Sequence, residues 1–294
     1  MTPHRRLGTF GIWSGVWSDA QRGVQPYTTE FEEAAIELDE LGFGALWMGA
    51  SPSVAWARKV LDATSHLTVA TGILSIWEHE AADVAAERAE LEKIHPGRFL
   101  LGLGVSHSHL ADQYARPYSA MRAYLDELDA AAEPVPAQAR VLAALGPKML
   151  ALARDRAAGA HPYLVTAEHT AKAREILGPD ALLAPELKVV LDTDLDRARA
   201  TARNYLDFYL AMPNYTGSLL RLGFTQDDFR DGGSDRLVDA VFALGDADAV
   251  GARVAEFLAA GADHLALQLV TDDPFTSLPR TGWRRLAEAL PLRG

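Results

Sequence analysis

Apolar runs of strand length alternate with amphipathic, alanine-rich stretches from one end of the chain to the other. Leu7–Trp13 reads as a first strand, followed by a Gly/Ser/Asp-rich loop. Thr28 or Thr29 caps a helix whose apolar positions Phe31, Ala34, Ala35, Leu38 and Leu41 recur at helical spacing. Gly42 and Gly44 stop that helix, and Ala45–Met48 is a short strand. A helix over Val54–Ala63 leads to Leu67–Leu74, the cleanest buried strand in the chain. Ala81–Ile94 is again helical and ends at the Pro96-Gly97 turn, before a strand at Arg98–Val105. The alternation continues with a helix at Tyr118–Ala132, a linker around Pro134 and Pro136, and a strand at Arg140–Leu145. A helix at Pro147–Ala157, a strand at His161–Val165 and a helix at Glu168–Leu177 follow. The next pair is a strand at Leu187–Leu191 and a long helix at Asp194–Leu210. Residues 212–234 carry Pro, Asn, Gly and Asp without a clear period and read as an insertion with short helical pieces. Ala249–Ala260 is a helix, His264–Val270 the last strand and Trp283–Leu290 the closing helix.

Eight strands separated by helices, with no low-complexity linker, predict an α/β fold in one domain spanning residues 1–294. Such alternation makes a parallel sheet, and eight units favour closure into a (β/α)8 TIM barrel, here with an irregular insertion before the last strand. A doubly wound open sheet is the alternative. It usually shows a glycine fingerprint after its first strand, and Gly8-Thr9-Phe10-Gly11-Ile12 is not one.

Charge and composition narrow the function. A formal charge of −12 argues against nucleic acid or an anionic membrane as partner, since both reward a basic face. An anionic ligand must therefore be met by local donors. With no cysteine, disulfides, cysteine–zinc sites and thiol catalysis are excluded. Met1 to Gly8 holds basic residues but no apolar stretch long enough for a signal peptide, and no run approaches a membrane span. The expectation is a soluble cytoplasmic protein acting on a small molecule.

In a barrel the working face is the C-terminal end of the strands. Those ends, as predicted, are rich in Gly, Ser and Thr, which let backbone approach a ligand, and poor in the paired carboxylates that hydrolases use. Gly146-Pro147-Lys148 follows a strand and opens a helix. Proline suits that first turn, and the free N–H groups with the helix dipole form a ready anion site to which Lys148 adds charge. An ordinary strand-to-helix turn is the plainer reading. Thr166-Ala167-Glu168-His169 opens the next helix and looks like a cap; the two helix starts together make an anion cradle. His107-Ser108-His109 invites a metal reading, but the further ligands such barrels need are missing, so no metal is expected and His107 is read as a pocket histidine donating to a ligand. His161 and His264 lie near predicted strand starts and read as structural. Asp192/Asp194 and Asp272/Asp273 read as caps or solvated charges. Trp13, Trp47 and Trp77 fall near strand ends, where aromatics either wall a flat heterocycle or pack against the rim.

Several segments together resemble a known family. They are Thr71-Gly72-Ile73-Leu74-Ser75-Ile76-Trp77, then Pro96-Gly97-Arg98-Phe99-Leu100-Leu101-Gly102-Leu103-Gly104-Val105-Ser106-His107. Leu145-Gly146-Pro147-Lys148-Met149-Leu150, Gly159-Ala160-His161-Pro162-Tyr163-Leu164-Val165-Thr166, the Pro185-Glu186 strand entry and Pro213-Asn214-Tyr215 continue the order. From Leu7 to Val270 the chain resembles the luciferase-like monooxygenase superfamily, specifically an actinobacterial subgroup of oxidoreductases that use the deazaflavin coenzyme F420.

The resemblance implies a barrel whose pocket holds the deazaflavin ring over the strand ends. It also implies a non-prolyl cis peptide at Gly72-Ile73 or Ile73-Leu74 that forms a bulge behind the ring, at a cost that only a site sustains. It places the coenzyme phosphate on the helix start at Gly146-Pro147 and on Thr166 and His169, and sets Ser106 and His107 along the ring and its tail. Homodimers are usual among relatives. The sequence departs from better-known deazaflavin dehydrogenases in lacking their acid–histidine pair after the second strand, where it reads Gly49-Ala50-Ser51-Pro52. An acidic residue after the fourth strand is also not evident. His107 is then the candidate catalytic acid or base, since histidine titrates near neutrality. The implied activity is hydride transfer between coenzyme F420 and an unidentified small organic substrate. An FMN-dependent monooxygenase and a catalytically silent binder of such a cofactor are the alternatives.

Overall fold

Strands that are apolar on both faces are satisfied only when helices cover a parallel sheet, and the chain folds that way. The computed structural model describes residues 7–17, 29–106, 116–273 and 277–292. Its strands are β1 (Phe10–Ser14), β2 (Ala45–Met48), β3 (Thr68–Thr71), β4 (Leu74–Ser75), β5 (Phe99–Gly104), β6 (Arg140–Leu142), β7 (Gly159–Ala160), β8 (Leu182–Leu183), β9 (Glu186–Val190), β10 (Phe242–Leu244) and β11 (Leu265–Leu269). The helices between and after them are α1 (Thr29–Leu41), α2 (Val54–Ala63), α3 (Ala81–Ile94), α4 (Pro117–Ala130), α5 (Pro147–Arg156) and α6 (Ala167–Leu177). Then come α7 (Leu195–Leu210), α8 (Pro213–Arg221), α9 (Asp235–Val241), α10 (Ala247–Ala259) and α11 (Arg280–Ala289). The helices present apolar faces at the expected spacing; α1, for example, buries Phe31, Ala34, Ala35 and Leu38.

The strands form one curled sheet in the order β10-β9-β11-β1-β2-β3-β5-β6-β7-β8, with β4 beside β5 and every pairing parallel. Both arms of this order reach a single stretch of chain. β8 pairs with β7, β9 pairs with β11, and only Ala184 and Pro185 separate β8 from β9. Ala184 and Glu186 donate backbone N–H groups to Ala160 and Pro162 at 2.9 Å each, while Ala266 donates to Pro185 at 3.1 Å.

Several boundaries differ from the sequence pattern. The strand expected at 161–165 is Gly159–Ala160 instead, because Pro162 lacks the N–H that a ladder needs. The expected strand 67–74 is divided at Gly72 and Ile73, whose peptide is cis. β8, α9 and β10 were not anticipated, their runs being too short for a period to show. Within 212–234 the chain forms α8 and a 3-10 stretch at Gln226–Gly232.

Strand alternation sorts side chains between two faces. On β2, Leu46 and Met48 join the large cluster beneath the helices, whereas Ala45 and Trp47 join a smaller cluster with Trp13, Leu100, Val141 and Leu182. Trp47 dominates that inner layer. Its Nε1 donates to His264 Nε2 at 2.9 Å, and its ring stacks on His161 at 4.1 Å and 13°. Both histidines are buried and also hold backbone carbonyls, His161 Nδ1 at 2.7 Å from Ala184 O and His264 Nδ1 at 2.8 Å from Gly8 O.

Two outcomes follow from this interior. At Gly159, with φ of +154°, an added Cβ would lie 1.9 Å from Leu182 O. Gly159→Ala must push β8 off β7 and should lower the thermal midpoint by about 4 °C or more, read by differential scanning calorimetry. Burial pushes the pKa of His161 down to about 3 and that of His264 to about 4, from 6.5. The unfolded chain therefore takes up these protons first. Their contribution is complete above about pH 6.5 and is lost as pH falls towards 4 and 3. The urea midpoint should fall across that window, and His161→Phe should make the fall shallower.

Candidate functional site

A cavity of about 960 Å³ opens where the strands end. Trp13 and Gly15 follow β1, Ala50 and Ser51 follow β2, and Gly72, Ile73 and Ser75 come from the divided third strand. Gly104, Val105 and Ser106 close β5, Ala143 to Gly146 follow β6, and His161 and Tyr163 follow β7. The opposite wall is Phe208 and Tyr209 of α7, Met212 before α8, and Pro213, Asn214, Tyr215 and Arg221 of α8.

The glycines of this floor are tightly confined. A Cβ on Gly104 would meet Ile73 Cδ1 at 2.5 Å, and one on Gly72 would meet Trp13 Nε1 at 2.8 Å. Trp13 Nε1 donates to Gly72 O at 2.9 Å, Ser51 N to Ile73 O at 3.1 Å, and Ser75 N to Ser51 Oγ at 3.0 Å. Ala50, Ser51 and Ser106 hold left-handed φ of 58°, 54° and 54°. Strain of that kind costs on the order of 1–3 kcal/mol per residue and collects at ligand sites.

The far wall is polar but closed on itself. Tyr163 Oη lies 2.8 Å from Tyr205 Oη, 3.0 Å from Tyr209 Oη and 2.9 Å from Gln268 Oε1, and Tyr205 and Tyr209 are 2.9 Å apart. Gln268 Oε1 only accepts, so the Tyr163 proton goes there. The protons of Tyr205 and Tyr209 then cover at most two of the three hydroxyl–hydroxyl contacts, which leaves none spare. Behind this group Lys188 Nζ sits 3.7 Å from the Tyr163 ring centre and 2.7 Å from Glu186 Oε2, the pair being 0% and 1% exposed. Burial pushes Lys188 down to about 8 and Glu186 up, each held back by the other's charge. Burial also raises Tyr163, Tyr209 and Tyr215, which stay protonated.

Of the residues singled out in the sequence, Trp13, Gly72, Ile73, Ser106 and Gly146 line the cavity together. A Cβ at Gly146 meets nothing within 4 Å, so the start of α5 is open. Pro147 and Lys148 are exposed and outside the lining, as is Leu74, which is buried and pairs with Leu103. Thr166 and His169 are also outside it. Thr166 Oγ1 accepts the His169 N–H at 3.1 Å, and His169 Nε2 donates to Leu145 O at 2.9 Å, beside Gly146. His107, with Ser108 and His109, lies outside the described residues. Among the described residues no three His, Asp or Glu are grouped to hold a metal.

His161 needs correction. It follows β7 and lines the cavity, rather than preceding a strand on the opposite face. Its Nε2 is buried with no hydrogen-bond partner, a condition worth about 1–3 kcal/mol. Glu78 and Arg221, the one carboxylate and the one cation of the lining among the described residues, were not anticipated. Neither were Tyr163, Tyr209 and Tyr215 as wall residues, although Tyr205 and Tyr209 recur at helical spacing and Pro162-Tyr163 follows a strand.

Comparison with known proteins agrees with this fold. No curated protein matches the chain. Among solved structures, an F420-dependent secondary alcohol dehydrogenase in complex with an F420–acetone adduct superposes with a TM-score of 0.72 at 15% identity, covering 97% of this chain and 98% of that one. The coenzyme F420 dependent tetrahydromethanopterin reductase from Methanopyrus kandleri gives 0.73 at 15% identity, covering 96% and 98%. The oxygenating constituent of 3,6-diketocamphane monooxygenase from Pseudomonas putida, a type II Baeyer-Villiger monooxygenase solved with FMN, gives 0.65 at 14% identity, covering 96% and 98%. At these identities the likeness is one of fold. The family model described as luciferase-like monooxygenase matches residues 9–264, and the chain belongs to that family.

Proposed function

We propose that the protein is an oxidoreductase that passes a hydride between coenzyme F420 and a small organic substrate, on a closed (β/α)8 barrel. The reading is carried by the strand-tip cavity, about 960 Å³ in volume, whose lining joins the Gly72-Ile73 bulge, the Trp13 ring and the open helix start at Gly146. Backbone bonds from Ala184, Glu186 and Ala266, which tie both arms of the sheet to residues 182–190, support closure.

The residues present fit a tricyclic ring with an anionic tail. Trp13, Tyr163, Tyr209, Met212 and Tyr215 offer apolar surface, the glycines at 72 and 104 let Trp13 and Ile73 pack close beneath it, and Gly146 and Arg221 lie on the same lining for the tail. The deazaflavin, when bound, supplies the hydride; the protein's share is position, electrostatics and exclusion of water. Ser51 and Ser75 fix the bulge by their mutual hydrogen bond, and the pinned tyrosine wall holds its shape as a ligand enters. His107 is assigned the proton step at the substrate, since histidine titrates near neutrality. FMN is the alternative ring, favoured by the family's name and by the FMN-bound structural neighbour.

Titrating the purified protein with F420 and with FMN, side by side, tests the reading. Tighter binding of the deazaflavin is expected. Preference for FMN would select the monooxygenase alternative, and binding of F420 without turnover of any acceptor would select a silent binder. Gly146→Leu should weaken F420 binding roughly tenfold or more while leaving the thermal midpoint in place, because its added side chain enters open space. Equal affinity would remove the helix start from the site. His107→Ala should lower turnover on the order of a hundredfold with little change in affinity; unchanged turnover would remove its role.

A further inference from the structure

His161 is held so that it can satisfy only one of its two nitrogens. Nδ1 lies 2.7 Å from Ala184 O. A carbonyl only accepts, so Nδ1 carries the proton and Nε2 presents a lone pair. The stack on Trp47 at 4.1 Å, with Trp47 itself bonded to His264, fixes the plane of the ring. A flip of the ring would put Cδ2 in the place of Nδ1 and lose the bond to Ala184.

No neighbouring side chain hydrogen-bonds Nε2. The Tyr163, Tyr205 and Tyr209 protons are consumed within their own cluster and on Gln268. Lys188 is committed to Glu186 and to the face of Tyr163. Glu186 Oε1 and His169 Nδ1 are also buried without partners, but neither residue lines the cavity. His161 does, at 1% exposure. A buried acceptor that is fixed in one tautomer and set in a cavity wall is complementary to a ligand N–H.

We propose that His161 is a ligand-binding residue whose Nε2 accepts the N–H of a planar lactam or imide, the group on the pyrimidine edge of flavins and deazaflavins. This rests on the cavity taking such a ring. The Trp13 and Tyr163 rings, in contact with a centroid separation of 5.1 Å and both in the lining, form an aromatic patch against which a flat heterocycle packs. The assignment gives the ring an orientation, with its imide edge towards β7.

Binding of F420, FMN and N3-methyl-FMN to the wild type and to His161→Phe, followed by fluorescence, tests it. Phenylalanine preserves the stack on Trp47 and removes the acceptor. The wild type should bind N3-methyl-FMN about tenfold more weakly than FMN, and His161→Phe should lose about tenfold towards F420 and FMN while treating FMN and its methyl derivative alike. Equal binding of FMN and N3-methyl-FMN by the wild type overturns the proposal, and means that Nε2 meets water or nothing. If the variant does not fold, the wild-type comparison decides, together with the Nε2 nitrogen resonance, which should shift when FMN binds. Failure of the wild type to bind either F420 or FMN would instead sink the functional reading on which this inference stands.

Discussion

The inner layer of the curled sheet is organised by a single large side chain. Trp47 occupies space that alanines at positions 45, 70, 158, 184 and 266 leave open, and it is held by a hydrogen bond to His264 and a stack on His161. Large rings set among small residues fill a layer densely and leave none of them room to move. The layer adjoins the cavity through Trp13 and through His161, which stacks on Trp47 and lines it. Because both histidines are buried, desolvation keeps them neutral, so the layer is polar without being charged.

The far wall is built by a different solution. Glu186 and Lys188 are two residues apart on β9 and therefore project to the same face. They are fully buried, and the desolvation of such a pair generally cancels most of its attraction. Its value here is positional. Lys188 lies over the face of Tyr163, a cation–π contact that holds the tyrosine against the hydroxyl group of neighbours on α7. Removing one charge would leave the other buried without its partner, so the wall stands or falls as a unit. One side of the cavity is thus set by backbone that folds tightly around Gly72 and Gly104, and the other by side chains locked to one another.

Much of the fold is written in the alternation of apolar runs. Val54–Ala63 and Ala81–Ile94 are helices over the ranges their periodicity indicates. β8 and β10 carry two and three residues, too few for any period to register, and Pro162 displaces the strand that the apolar run 161–165 suggested. The site divides in the same way. Glycines with a backbone reason, at 72 and 146, are legible because a glycine at a strand tip has few other purposes. The tyrosines are not. Tyr205 and Tyr209 read as one face of an amphipathic helix, and only the third dimension brings them to Tyr163, in the loop after β7, and to Gln268, on β11. His161 was misread because its role depends on where β7 stops. Replacing a strand at 161–165 by one at Gly159–Ala160 carries His161 from the first position of a strand to the first position after one.

The distribution of charge around the cavity is compatible with the proposed redox ring. The ionisable residues that touch the lining deep within it are kept uncharged, the histidine by desolvation and the tyrosines by burial. The full charges of the lining, Glu78 and Arg221, belong to exposed residues. A site for acyl or phosphoryl transfer concentrates charge at the reacting atoms. Hydride transfer to or from a ring that disperses its own charge needs a flat, dry and neutral enclosure with few fixed contacts, and it needs charge only where an ionic tail leaves. Arg221 acts electrostatically on His169, which bonds the carbonyl next to Gly146. The cation and the open helix start therefore share one end of the cavity. In a chain carrying −12 overall, the proposed anionic tail needs donors supplied locally, and Arg221 and the start of α5 are the ones the described lining offers.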